Sequence, residues 1–207
     1  MKDSIHTLLF AVTLGLICAT ALTGADRFTA ERKKANAKAE EIRNILSVLG
    51  IEFAPSASSN ELVEVFEKNV QVETRGKLRQ YAYRPSGADA QPLAVAIPFG
   101  GPGLWGPVRG FLSLKADMRT IAGITFHEQE ETPGLGGEIA SETFTRQFEG
   151  KSITDPSGNP GMRIRRGGGQ GPNEVDGITG ATMTCEKVEA MLNATITLIV
   201  QEQERGQ

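Results

Sequence analysis

Leu93-Ala94-Val95-Ala96-Ile97-Pro98-Phe99-Gly100-Gly101-Pro102-Gly103-Leu104-Trp105-Gly106-Pro107-Val108-Arg109-Gly110-Phe111-Leu112-Ser113-Leu114 holds two apolar runs on either side of a Gly- and Pro-rich turn. Its centre, Gly101 to Gly106, matches G-x-G-x-x-G, the fingerprint of dinucleotide-binding α/β folds. That fingerprint needs a helix to begin at the glycines, so that the helix N-terminus meets a pyrophosphate. Here Pro107, Gly110 and the run Phe111 to Leu114 lead into another strand, so the stretch reads as strand, turn, strand and the match is fortuitous. The sheet it predicts is antiparallel. Trp105 in the turn is expected to pack on the core, because Trp is rarely spent on an empty surface.

Outward from this pair, Lys77 to Tyr83 and Ile121 to Phe126 are further short apolar runs bounded by Pro, Gly or charged residues, and they read as strands of the same sheet. Helices flank them. Ile42, Ile45, Leu46 and Leu49 recur at helical spacing, with Gly50 as a stop, and predict a stalk helix over 30–50. Asn60 is the expected cap of a second helix over 61–71, carrying Leu62, Val63, Val65 and Phe66. A short helix over 141–148 would use Ser141 as cap and bury Phe144 and Phe148. The last helix is the clearest, with Val188, Met191, Leu192, Thr195, Leu198 and Ile199 on one face. Residues 151–171, rich in Gly and Pro, read as loop with one strand near 162–164. The fold class is therefore α+β, an antiparallel sheet with flanking helices.

From Ser4 to Ala25 the only titratable side chains are His6 and Cys18, and the run is long enough to cross a bilayer as a helix. It reads as a single transmembrane anchor. A cleaved signal peptide is the alternative, favoured by Lys2 ahead of the run and by Ala19, Ala21, Gly24 and Ala25 near its end. Arg27, Arg32, Lys33 and Lys34 outnumber Lys2 across the span, and the positive-inside rule alone would keep the following domain in the cytoplasm. Long domains, however, translocate largely regardless of such charges. The expected division is an anchor over 1–26, a stalk helix and linker over 27–59, and a folded domain over 60–207.

Composition removes several function classes. The 22 Lys and Arg are scattered among 25 Asp and Glu, for a net charge of -3, so there is no basic surface for nucleic acid. Two cysteines and two histidines support neither a disulfide framework nor a Cys-rich zinc site. G-x-S-x-G, P-loop and H-E-x-x-H signatures are absent. His127-Glu128-Gln129-Glu130-Glu131 reads as a solvated strand end, and no metal ligands or catalytic acid–base pair are assigned.

Two further clusters point to a ligand. In Thr132-Pro133-Gly134-Leu135-Gly136-Gly137-Glu138, a proline and three glycines surround one leucine, a loop able to press an apolar side chain and bare amides against a flat molecule. Asp176-Gly177-Ile178-Thr179-Gly180-Ala181-Thr182-Met183-Thr184 stands before the terminal helix, whose first N–H groups favour a phosphate. Helix capping by Thr182 or Thr184 is the purely structural alternative.

Asp176 to Thr182 resembles the flavinylation motif of the FMN-binding domain family, found in the NqrC component of the sodium-pumping NADH:quinone oxidoreductase and in the RnfG component of the Rnf complex. Glu131-Thr132-Pro133-Gly134-Leu135-Gly136 resembles a loop shared by both components. Gly103-Leu104-Trp105, Gly110-Phe111 and the stretch Ile45 to Ile51 are more similar to the NqrC pattern, whereas the short chain and Cys185, where serine is frequent, depart from it. The resemblance implies FMN joined to Thr182 as a phosphoester by a flavin transferase, with Thr184 as second choice. Asp176, Gly177, Thr179, Gly180 and Ala181 would be the sequence that the transferase reads. The ring is expected between Glu131, Thr132, Gly134, Leu135 and Gly136 on one side and Leu104 and Trp105 on the other. It further implies an electron-carrying subunit of a membrane respiratory complex. That subunit would cross the bacterial inner membrane once, present its domain outside the cytoplasm, and have other membrane subunits as partners, one bearing a second flavin. NADH would be oxidised elsewhere in the complex. An RnfG-type chain, a stand-alone extracytoplasmic flavin carrier and an unflavinylated anchored domain are the alternatives.

Overall fold

The structure, a computed structural model, describes residues 2–85, 87 and 91–205. Met1, where the expected anchor begins, and 206–207, where the expected folded domain ends, lie outside the described residues. The chain divides into two compact units, Met1–Ala39 and Glu40–Gln207.

Helix α1 (Lys2–Val48) supplies the whole described part of the first unit. Within that unit its large apolar side chains, among them Leu8, Phe10, Leu16, Ile17 and Leu22, are exposed, and the helix is long and apolar enough to cross a membrane. Thr13 and Thr20 donate their hydroxyls to the Leu9 and Leu16 carbonyls at 2.7 Å, so neither adds an unsatisfied donor to the apolar surface. The sequence separates anchor from stalk. The helix is in fact unbroken between them, since no Pro interrupts residues 2–48.

In the second unit, the end of α1 and the turn after it bury Ile42, Ile45, Leu46 and Leu49, the stripe that the spacing predicts, together with Val48. Gly50, at φ 70, ends the helix: its N–H reaches the Ser47 carbonyl at 3.0 Å and the Ile51 N–H reaches Leu46 at 2.9 Å, the left-handed glycine cap. Helix α2 (Ser59–Asn69) is capped by Ser58, not Asn60. Ser58 Oγ accepts from the Glu61 N–H at 3.4 Å and the Glu61 carboxylate accepts from the Ser58 N–H at 2.7 Å, a reciprocal pair that Asn60 has no residue to complete. The helix stops at Asn69 because Val70 opens a strand.

That strand, β1 (Val70–Arg75), leads β2 (Leu78–Tyr83), β3 (Ala94–Pro102), β4 (Pro107–Lys115) and β5 (Ile121–Glu128) in a five-stranded antiparallel meander ordered as in the chain. Pro102 pairs with Pro107 at the end of the β3–β4 hairpin, so Gly103 to Gly106 form its tip and no helix starts there. On one face Val95, Ile97, Phe99, Leu112 and Leu114 join Val188, Leu192, Ile196 and Ile199 of α4 (Thr182–Arg205) in the main core. Burying each such side chain contributes about 1.5–3 kcal/mol. On the other face Tyr81 packs edge-on against Phe66 of α2 and against Phe111, at 6.1 and 5.7 Å between centroids. His127 stacks on Phe111 at 4.9 Å and is half-buried, so it is part of this layer and not the solvated strand end that the sequence predicts. Burial lowers its imidazole from the ordinary value.

After β5 come a 3-10 turn (Gly136–Ala140), the short helix α3 (Glu142–Thr145) and a second 3-10 turn (Arg146–Phe148). Ser141 caps α3 through the Phe144 N–H, and Phe144 and Phe148 are buried as their spacing predicts. β6 (Arg163–Arg165) and β7 (Glu174–Asp176) then pair in parallel, joined by the glycine-rich loop 166–173 that leads the chain back towards α4.

Candidate functional site

Glu131, just past β5, is buried and joins three distant parts of the sequence. Its Oε1 accepts the Leu104 N–H at 2.6 Å and the Trp105 N–H at 3.2 Å, while Oε2 accepts the Thr184 hydroxyl at 2.6 Å. The hairpin tip, the 131–136 loop and the start of α4 therefore meet at one carboxylate. Glycine is required at this junction: a Cβ on Gly136 would lie 2.6 Å from Thr184 Oγ1, and one on Gly103 would lie 2.7 Å from the Gly106 carbonyl. Burial pulls the Glu131 carboxyl upward, but the hydrogen bonds from Thr184, Trp105 and Leu104, with Lys187 nearby, hold it below its ordinary value.

The loop after Glu131 folds on the Thr132 carbonyl, which accepts from the N–H groups of Leu135 and Gly137 at 3.1 and 3.0 Å. Gly134, at φ 74, makes the turn. Gly180, at φ 81, passes beneath Leu135, where a Cβ would stand 2.9 Å from Leu135 Cδ2. The Thr132–Gly136 loop and the Thr179–Thr182 turn are thus in contact. Apolar side chains face outward around them: Trp105 is 70% exposed, Met183 56%, Leu135 44% and Leu104 40%. The exposure of Trp105 corrects the expectation that it packs on the core. Its backbone is tied down by Glu131 at the very end of the hairpin, beyond the strands against which the ring could have packed.

Helix α4 begins at Thr182, so Ala181 occupies the cap position and has no side-chain acceptor to offer. Thr184 is committed to Glu131. Neither threonine caps the helix, which sets aside the structural alternative for this motif. The half-buried Thr182 hydroxyl instead accepts a hydrogen bond from the Arg166 guanidinium. Asp176 organises the loop that carries this arginine: Oδ1 accepts from the Gly169 N–H at 2.6 Å and from the Gly168 N–H, and the Asp176 N–H donates to Gln147 Oε1 at 2.7 Å. The Gly177 N–H donates to the Arg165 carbonyl at 2.6 Å, and the Ile178 N–H reaches Cys185 Sγ at 3.4 Å. Burial pushes the Cys185 thiol up, and it acts here as a buried acceptor.

Of the residues that the sequence singles out, Leu104, Trp105, Glu131, Thr132, Gly134, Leu135, Gly136, Gly180, Ala181, Thr182 and Thr184 fall in this cluster. Asp176 and Gly177 support it through the 166–169 loop, and Thr179 is exposed beside it. Sequence reasoning missed Arg166 and Gln147. The only local signal for Arg166 is its place directly before Gly167-Gly168-Gly169, which reads as loop. Two clefts flank the cluster: one of about 580 Å³ at the hairpin tip, lined by Gly101 to Pro107 and Arg109, and one of about 610 Å³ beside Asp176, Gly177, Ile178, Phe144 and Gln147. A hydroxyl that does not cap its helix and has a guanidinium against it suits a phosphate. Exposed Leu, Met and Trp side chains a few residues away suit a flat, largely apolar ring, so the donor set fits a flavin mononucleotide.

Comparison with known proteins agrees. Residues 103–197 match the family model described as FMN-binding domain. The chain is 29% identical to the NqrC component of the Na(+)-translocating NADH-quinone reductase of Vibrio anguillarum, over 91% of this chain and 89% of that one. It is 42% identical to the same component from Vibrio campbellii over a shorter stretch, 46% of this chain and 37% of the relative. A crystal structure of the corresponding Na(+)-translocating NADH-quinone reductase component from Parabacteroides distasonis superposes with a TM-score of 0.66 at 26% identity, covering 85% of this chain and 96% of that one. The Shewanella oneidensis NqrC structure, 22% identical with a TM-score of 0.67, covers 81% of this chain and 99% of that one and shares the fold.

Proposed function

We propose that this chain, which carries an FMN-binding domain over residues 103–197, is an electron-carrying subunit of the NqrC type in a Na(+)-translocating NADH-quinone reductase, with FMN held covalently on Thr182. The observation that carries this reading is the Thr182 hydroxyl itself. It opens α4 without serving as a cap, and a guanidinium lies against it. A phosphate esterified there also sits at a helix N-terminus, where negative charge is favoured by about 0.3–1 kcal/mol at an exposed position.

When bound, the flavin supplies the redox chemistry, and the residues of this chain bind and orient it. Leu104, Trp105 and Leu135 offer the apolar surface for the ring, between the hairpin tip and the Thr132–Gly136 loop. Glu131 and Thr184 are occupied with each other and with the Leu104 and Trp105 amides, so their part is to fix the two walls in register. Asp176, Gly177, Thr179, Gly180 and Ala181 form the approach to Thr182 that a flavin transferase would read, with Asp176, Thr179 and Gly180 exposed. Residues 1–26 serve as a single-pass anchor, 27–59 as stalk and linker, and 60–207 as the flavin-bearing domain on the extracytoplasmic side of the membrane. The partners are the other membrane subunits of the complex, one of them carrying a second flavin, and NADH is oxidised on a different subunit. Covalent attachment suits that location, because a dissociated flavin there could not be replaced from the cytoplasmic pool.

The test is the intact mass of the chain purified from membranes of cells that express the transferase. The wild type should be heavier than the bare polypeptide by one esterified FMN, and Thr182→Leu should have the bare mass. Flavin mass persisting in Thr182→Leu would show the attachment residue to be wrong.

A further inference from the structure

Three arginines lie in and just after β6, and they differ in their partners. Arg163 belongs to the strand and Arg165 pairs with Glu174 at 3.3 Å. Arg166 makes no ion pair among the described residues, and its guanidinium is spent on the Thr182 hydroxyl. A neutral hydroxyl satisfies little of a guanidinium, which presents five donors in a planar fork matched to carboxylate and phosphate oxygens. Its position is also constrained. The Gly168 and Gly169 amides that follow it are both held by Asp176 Oδ1, Gly168 at φ 118 and Gly169 so close to Val175 that a Cβ would lie 2.5 Å from its backbone. Asp176 is in turn fixed by Gln147. A surface arginine with no structural partner would not need a loop locked this firmly behind it.

We infer that Arg166 is the residue that grips the phosphate carried by Thr182, with Asp176 acting as a positioning residue through the Gly168–Gly169 loop. The inference rests on the proposed attachment of FMN at Thr182. Once the hydroxyl oxygen is esterified, the guanidinium that now donates to it stands beside the non-bridging phosphate oxygens. The single hydrogen bond to a neutral acceptor is then exchanged for charge-assisted bonds to an anion. Asp176 accordingly matters even where no transferase is present, because it sets the distance between a cation and the attachment point.

The experiment uses the full chain in detergent micelles, as wild type, Arg166→Gln and Arg166→Lys, each prepared with and without flavin and assigned by intact mass. Two readouts follow: the phosphorus-31 resonance of the linking phosphodiester, and the rise in melting temperature on flavin loading. A grip on the phosphate predicts that Arg166→Gln shifts the resonance and reduces the thermal gain by about 3 °C or more, with Arg166→Lys intermediate. An unchanged resonance together with an undiminished gain in loaded Arg166→Gln overturns the inference and leaves the attachment at Thr182 standing. A wild-type chain that never acquires flavin mass overturns the attachment and the grip together. Should Arg166→Gln fail to fold, Arg166→Lys decides: it keeps the charge but loses the planar fork, and a resonance and gain identical to wild type would again overturn the grip.

Discussion

The β3–β4 hairpin changes character along its length. Between Val95 and Phe99 and between Phe111 and Leu114, every large apolar side chain is buried. At the tip, five residues further on, Leu104 and Trp105 face solvent while the backbone amides beneath them are hydrogen-bonded to a buried carboxylate. One end of the hairpin hides its side chains and the other hides its polar groups. That inversion separates residues that make the fold from residues presented to a ligand: the first are fixed by packing, the second by a polar network that leaves their apolar atoms free.

The largest effect should come from the packed end. Leu112 is fully buried between the sheet and α4, so Leu112→Ala removes an isopropyl group and leaves a cavity, at a cost of about 2–5 kcal/mol. Denaturant unfolding of the full chain in detergent would read this as a lower midpoint with little change in slope. A loss below about 1 kcal/mol would mean that the core can collapse around the deletion and that the contrast between the two ends is weaker than the burial implies.

A smaller loss is expected at the junction. Glu131→Gln keeps one acceptor oxygen but replaces the other with a donor facing the Thr184 hydroxyl, and the bonds lost involve a charged group, so about 1–3 kcal/mol is expected. The effect has a sign in pH. The folded-state value of Glu131 lies below its ordinary 4.5, so the unfolded chain takes up the proton first. Its contribution is complete above about pH 4.5 and disappears as the pH falls through the lowered folded value. The melting temperatures of wild type and Glu131→Gln should therefore differ by a constant amount near neutrality and converge below about pH 4.5. Parallel curves down to the acid limit would show that the carboxylate is not what ties the tip to α4.

The packed end was far more legible in the sequence than the tip. Alternating apolar runs broken by Gly and Pro predict β2 to β5, and three-and-four spacing predicts α4, because both patterns follow from local geometry. β1 was hidden because Val65 and Phe66 extend a helical pattern to the threshold of Val70-Gln71-Val72, and only pairing with β2 decides where helix gives way to strand. By residue type alone Asn60 is as good a cap as Ser58, which is marked only by Glu61 three residues on, the residue that completes the capping pair. At the site, the resemblance locates the motifs but assigns Glu131 and Thr184 to the ligand, and the fold places them against each other. The contact from Arg166 to Thr182 spans 16 residues and runs through a parallel strand pair of three residues each, too short for any periodicity to register.

The smallest effect on stability should be at Trp105, and it separates the two ends most sharply. A Trp in a core would cost about 3–5 kcal/mol on truncation to Ala. With 70% of Trp105 in solvent and its amide held by Glu131 whatever the side chain, Trp105→Ala should change the unfolding free energy by no more than about 0.5 kcal/mol. The same substitution removes the largest apolar surface offered to the ring, so the absorption and fluorescence of the flavin-loaded chain should change while its intact mass shifts only by the substitution itself. A variant that unfolds as a core mutant does would place Trp105 in the fold. A stable variant with an unaltered flavin spectrum would move the ring away from the hairpin tip and leave Leu135 and Met183 as its remaining wall.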